Sequence, residues 1–160
     1  MKKPLPQNVI KRLIDELAAL PQHPRVQIIV THCYLELLVH QLALQRCKNS
    51  KRIAEGAREF TQSIKVTMLN EAGIISDEDA KFLHWFRRKR NDAAHEVDFK
   101  ITKEDLSEFR GYTASDRKTR LDDPKHLSLL CAETVMGFWN HHVQVFAPLF
   151  EKRLFEKQNG

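Results

Sequence analysis

Residues 24–47, PRVQIIVTHCYLELLVHQLALQRC, decide the fold. Their apolar side chains lie on most sides of a 3.6-residue spiral, so the stretch reads as one long central helix of an all-helical core. Thr31, His32, Glu36, His40 and Gln41 interrupt the run over 28–44, which argues against a membrane span. Before it, Val9, Ile10, Leu13, Ile14, Leu17 and Leu20 recur at helical spacing. That spacing predicts an amphipathic helix over residues 7–20, with Pro21 and Pro24 bracketing the turn.

Beyond the central helix, Lys48-Asn49-Ser50-Lys51-Arg52 reads as a solvated basic connection. A third helix is expected over about 53–72, with Phe60, Ile64, Met68 and Leu69 inward and Gly73 as its C-terminal stop. Ser76 and Asp79 have capping-box spacing, and Asp77 and Glu78 add charge at the positive helix end, so a fourth helix starts near Asp77. Thr102 and Asp105 repeat the capping signal for a short helix over 103–110, ended by Gly111. Residues 111–122 are polar and aperiodic, which predicts a loop. Asp123-Pro124 opens a last long helix that runs to about Ala147, where Pro148 stops or kinks it. No segment reads as a paired strand. The expectation is an all-α, antiparallel bundle of about five helices in one domain over 1–160, with its core over 26–147 and an extension over 148–160.

Composition bounds the class. A chain of 160 residues, 42% hydrophobic and 29% charged, can bury a sizeable core as an ordinary globular protein. A net charge of +5 permits an acidic partner such as RNA without requiring one. Cys33, Cys47 and Cys131 are widely spaced; Cys33 and Cys131 fall in apolar patterns and read as small buried hydrophobes. An odd cysteine count and an N-terminus without a signal-length apolar core lead us to expect a reducing, cytoplasmic setting. His32-Cys33 has no second pair at ligand spacing and His141-His142 diverge around their helix, so no metal or other cofactor is expected. Trp85, Phe138 and Trp139 read as core or interface.

The chemistry concentrates in Arg87-Arg88-Lys89-Arg90-Asn91-Asp92-Ala93-Ala94-His95. An arginine stays charged, whereas a histidine changes charge near neutral pH. Together they supply a fixed cation for a phosphate and a proton carrier for its attacking or leaving oxygen. The alternative is a helix ending in cations that favour its negative dipole end, with alanines for packing. Positions five apart on a straight helix point roughly 140° from each other. Arg90 and His95 therefore do not share a face. His95 aligns with Asn91, Arg88 and His84, while Arg90 falls on the side of Leu83, Phe86, Ala93, Ala94 and Val97, read as core-facing. Either the helix ends or bends at Asn91-Asp92, or a second chain supplies half of a composite site.

Arg90-Asn91-x-x-x-His95 resembles the R-x4-H signature of the HEPN superfamily, whose active members usually carry a small polar residue after the arginine. The flanking Leu69-Asn70-Glu71-Ala72-Gly73-Ile74-Ile75-Ser76 and Phe99-Lys100-Ile101-Thr102-Lys103-Glu104-Asp105 extend the likeness over about residues 26–110. The chain is similar to the bacterial branch that includes the mannitol operon repressor family and a related domain in which an Asn-Asp-Ala-Ala-His run is common. The resemblance implies a helical, often homodimeric protein and a metal-independent ribonuclease. Arg90 would stabilise the phosphorane-like transition state, His95 would carry the proton, and Asn91 would orient a phosphate oxygen or the histidine. Glu36 and Asp92 are supporting candidates, with Arg87, Arg88 and Lys89 holding the RNA backbone. Glu36 also reads as an ordinary charged helix edge. The same branch implies an alternative, a non-catalytic regulatory module acting on transcription through a protein partner.

Overall fold

The computed structural model describes residues 9–19, 23–108 and 123–156, and among them the chain is all-helical, with eight α-helices and one short 3-10 turn. They are α1 (Val9–Ala19), α2 (Pro24–Arg46), α3 (Ser50–Glu55), α4 (Gln62–Glu71), α5 (Asp77–His95), α6 (Lys103–Ser107), the 3-10 turn Pro124–His126, α7 (Leu127–His141) and α8 (Val143–Glu156). The loop expected over 111–122, the end of the helix near Gly111, the Pro21 turn and the tip of the 148–160 extension lie outside the described residues.

α2 is the central helix. By length and composition it could cross a membrane, yet here α1, α3, α4, α5, α7 and α8 all pack against it. Leu35, Leu38, Val39, Leu42 and Ala43 are buried along it and join one contiguous apolar cluster with Leu13, Val66, Leu69, Phe82, Trp85, Phe86, Leu106, Leu130, Phe138 and Phe146. Burying such side chains contributes roughly 1.5–3 kcal/mol each, which is why a helix apolar on most sides takes the middle position. Gln27 ties α2 to α7 through a 2.6 Å hydrogen bond to Ser128 Oγ.

The single helix expected over 53–72 is two helices. Gly56 ends α3, and its N–H donates to the Arg52 carbonyl at 2.8 Å. A Cβ there would lie 2.9 Å from that oxygen and 3.1 Å from the Phe60 ring, so the chain turns where only glycine fits. Thr61 then caps α4. Ser50, Lys51 and Arg52, expected in a connection, belong to α3, and Ile64 is 42% exposed rather than inward. The Gly73 stop is present: Gly73 has φ +66°, its N–H reaches the Asn70 carbonyl at 2.8 Å, and that of Ile74 reaches Leu69 at 2.9 Å. This Schellman arrangement satisfies the last carbonyls of α4.

The last helix also divides. α7 ends before His142, whose N–H turns back to the Trp139 carbonyl at 3.1 Å, and Pro148 lies inside α8 instead of stopping a helix. An aromatic cluster sits at the break, with Trp139 stacked on Phe146 at 5.1 Å and His142 edge-on to Phe138 at 5.0 Å. Cys131 is fully buried, and burial pushes its thiol up to about 12. Cys33, by contrast, is exposed rather than buried.

Candidate functional site

α5 carries the motif, and its start is set by Ser76, whose hydroxyl accepts the Asp79 N–H at 3.0 Å and donates to the Asp79 carboxylate at 3.0 Å. The helix then runs unbroken to His95, and the Glu96 N–H still closes onto the Asp92 carbonyl at 2.8 Å. The helix does not end at Asn91-Asp92. Arg90 and His95 of one chain therefore stay on different sides of the helix.

The end of α5 is held from a distance. Arg25, in the first turn of α2, donates to the carbonyls of Ala93, Glu96 at 2.7 Å and Val97 at 2.8 Å, and lies 5.9 Å over the Phe99 ring. A forked cation thus meets carbonyls that a helix end leaves open, at the negative end of its dipole. The contact also fixes α2 and α5 as antiparallel, the start of one beside the end of the other. Sequence reasoning missed Arg25, because nothing local marks a partner so far along the chain.

The cations of the motif divide by partner. Arg88 pairs with Glu108 at 3.0 Å. Lys89 pairs with Asp105 and, at 3.5 Å, with Asp92. Burial pushes the Lys89 ammonium down, but Asp105 and Asp92 outweigh it and hold it above its ordinary value. Asp105 is likewise held low by Lys89 and Thr102 against its burial. Asp105 also closes a reciprocal capping box with Thr102, and its carbonyl accepts the Trp85 indole N–H at 3.2 Å. Arg88, Lys89 and Trp85 thus clamp α6 onto α5.

Arg87 and Arg90 have no acidic partner within ion-pair distance among the described residues. Arg90 is exposed and donates to the neighbouring Asn91 Oδ1 at 3.2 Å. It lies at the edge of the helix, although its helical phase predicted the core-facing side; Ala94 and Val97, read with it, are exposed too, while Leu83, Phe86 and Ala93 are buried. Arg87 is half-buried, with its Nε lacking a hydrogen-bond partner. His95 is exposed as the last residue of α5.

Facing Arg87 and Arg90 on α2 are His32 and Glu36. Burial lowers the His32 pKa, Glu36 opposes the shift, and Arg90 and Arg87 reinforce it. Glu36 is exposed and its charge also reaches Lys65 of α4, whose ammonium burial pushes down and which sits 3.2 Å from His40 Nδ1. Among the described residues no group of three or more His, Cys, Asp or Glu side chains is placed to share a metal ion.

No protein-family model, curated protein or solved structure matches the chain.

Proposed function

We propose that the chain is a HEPN-type endoribonuclease that cleaves single-stranded RNA without a metal, working as a cytoplasmic homodimer in a toxin-like or defence role. The observation that carries the reading is the exposure of Arg90 and His95 together, with Asn91 between them, at the end of an unbroken, anchored helix. Asn91 is half-buried and engages Arg90, while His95 is open to a partner or substrate. Because the helix runs on past Asn91-Asp92, a complete site takes Arg90 from one copy and His95 from the other. Val97, 91% exposed just past His95, offers an apolar contact for that second copy.

In this mechanism His95 withdraws the proton of the 2′-hydroxyl, whose oxygen attacks the adjacent phosphorus. Arg90 donates two hydrogen bonds to the equatorial oxygens as charge builds on the phosphorane. The P–O5′ bond breaks and the leaving oxygen takes the proton held by the His95 imidazolium, giving a 2′,3′-cyclic phosphate and a 5′-hydroxyl and restoring the neutral histidine. Arg87 is the best placed of the flanking cations for the RNA backbone, since Arg88 and Lys89 are engaged within the chain.

The test is incubation of the purified protein with mixed RNA in EDTA, alongside Arg90→Ala and His95→Ala. Cleavage that both substitutions reduce by about a hundredfold or more supports the nuclease. Cleavage surviving both, or none from the unaltered protein, overturns it; the latter leaves the regulatory module acting through protein contacts.

A further inference from the structure

We propose that His32 of α2 and Arg87 and Arg90 of α5 form a phosphate seat within a single chain, with Glu36 as its counter-charge. The seat rests on the nuclease reading only for its physiological ligand, an RNA phosphate; the geometry is that of one copy.

Helix register brings the three residues together. Arg25 fixes the start of α2 beside residues 93–97, at and just past the end of α5. His32 lies about two turns further along α2, and two turns back along antiparallel α5 lie Arg87 and Arg90, one turn apart on the same side. The seat is incomplete as it stands. His32 is only 6% exposed, yet its Nε2 has no hydrogen-bond partner, and neither has the buried Nε of Arg87. Two orphaned polar atoms on facing helices are costly unless something satisfies both. An arginine Nε–H can only donate, so the missing group must accept, and His32 in the tautomer that carries its proton on Nε2 asks for the same.

Electrostatics select the acceptor. Two guanidinium charges face one carboxylate, Glu36, which leaves a net positive site suited to an oxyanion. A phosphate oxygen bridging Arg87 Nε and His32 Nε2, with a second oxygen on the Arg90 fork, satisfies every orphan. His32 would bind the ligand directly: its buried imidazole holds the phosphate beside Arg87 and beneath the exposed Arg90.

The test uses the full chain labelled with 15N at histidine, titrated at neutral pH with inorganic phosphate and, separately, with a 2′-O-methyl oligoribonucleotide that has no nucleophile to cleave. The seat predicts a saturable shift of the His32 Nε2 resonance with at least one of them. Response to phosphate identifies a seat open to the free ion, and response to the oligonucleotide alone identifies one that takes a backbone diester. Arg87→Lys, which keeps the charge but loses the fork, should weaken binding about tenfold, as should Arg90→Gln, and Glu36→Gln should tighten it. An unmoved His32 resonance with both ligands overturns the seat, as does binding that Arg87→Lys and Arg90→Gln leave unchanged in folded protein. RNA cleavage is not scored, so the seat and the nuclease stand or fall separately.

Discussion

At the residue scale, Arg25 contributes most to the site without belonging to the motif. Its guanidinium supplies hydrogen bonds to three carbonyls at the end of α5. Arg25→Ala leaves those carbonyls unpaired and should cost about 2 kcal/mol, lowering Tm by roughly 4–8 °C and speeding amide exchange over residues 93–97. Arg25→Lys should recover only part, because an ammonium cannot fork. Unchanged stability and exchange in Arg25→Ala would remove the anchor from the account. Buried His32 and half-buried His84 and His142 set a pH dependence. Burial lowers the pKa of His32, His84 and His142 from 6.5; arginines add to the shift at His32 and His84, while Glu36 at His32 and Asp79 at His142 oppose it. On acidification the unfolded chain takes up these protons first. Stability is therefore full above about pH 6.5 and is lost as the pH falls below it, through the depressed folded values. Thermal melts between about pH 7.5 and 5 should show Tm falling, with a shallower fall in His32→Gln; an identical profile in that variant counts against the burial of His32.

At the scale of elements, α2 and α5 were legible because each depends on local signals: a long apolar run for one, a Ser76 cap and a charged first turn for the other. The Thr102–Asp105 capping box was legible for the same reason, and Thr102→Ala should cost about 1 kcal/mol and loosen α6 in amide exchange. The break at Gly56 was hidden, since apolar spacing continues across it and only the close approach of Phe60 and the Arg52 carbonyl shows the turn. Gly56→Ala forces those groups apart and should destabilise by about 1–3 kcal/mol in a denaturant titration; a stabilised variant would mean α3 and α4 readily join. The break at His142 had no local signal beyond Pro148, which proved compatible with α8. There the ring packing of Phe138, Trp139 and Phe146 places the turn, and contacts of that kind are set by tertiary structure.

At the scale of the whole molecule, the residue types of the site could be read from the sequence, but their division of labour could not. The sequence sets Arg90 apart from the other cations, but Arg88 and Lys89 look equivalent to Arg87 until Glu108 and Asp105, brought alongside by α6, engage them. Phase along an ideal helix correctly separated Arg90 from His95, yet it placed Arg90 toward the core, because it could not show that α2 leaves that edge of α5 open. The unbroken helix makes assembly central to the proposed activity: if the chain is the nuclease we propose, cleavage requires two copies, and a dimer mass in solution should accompany activity. Val97→Glu, at an exposed position, should spare the monomer fold while shifting that mass toward monomer and reducing cleavage in parallel. The most direct measurement mixes Arg90→Ala with His95→Ala, each inactive alone, under conditions of subunit exchange and in EDTA. A composite site gives each mixed dimer one intact centre out of two, so an equimolar mixture should regain about a quarter of the unaltered activity. No recovery from two folded, exchanging variants would contradict a site shared between two copies.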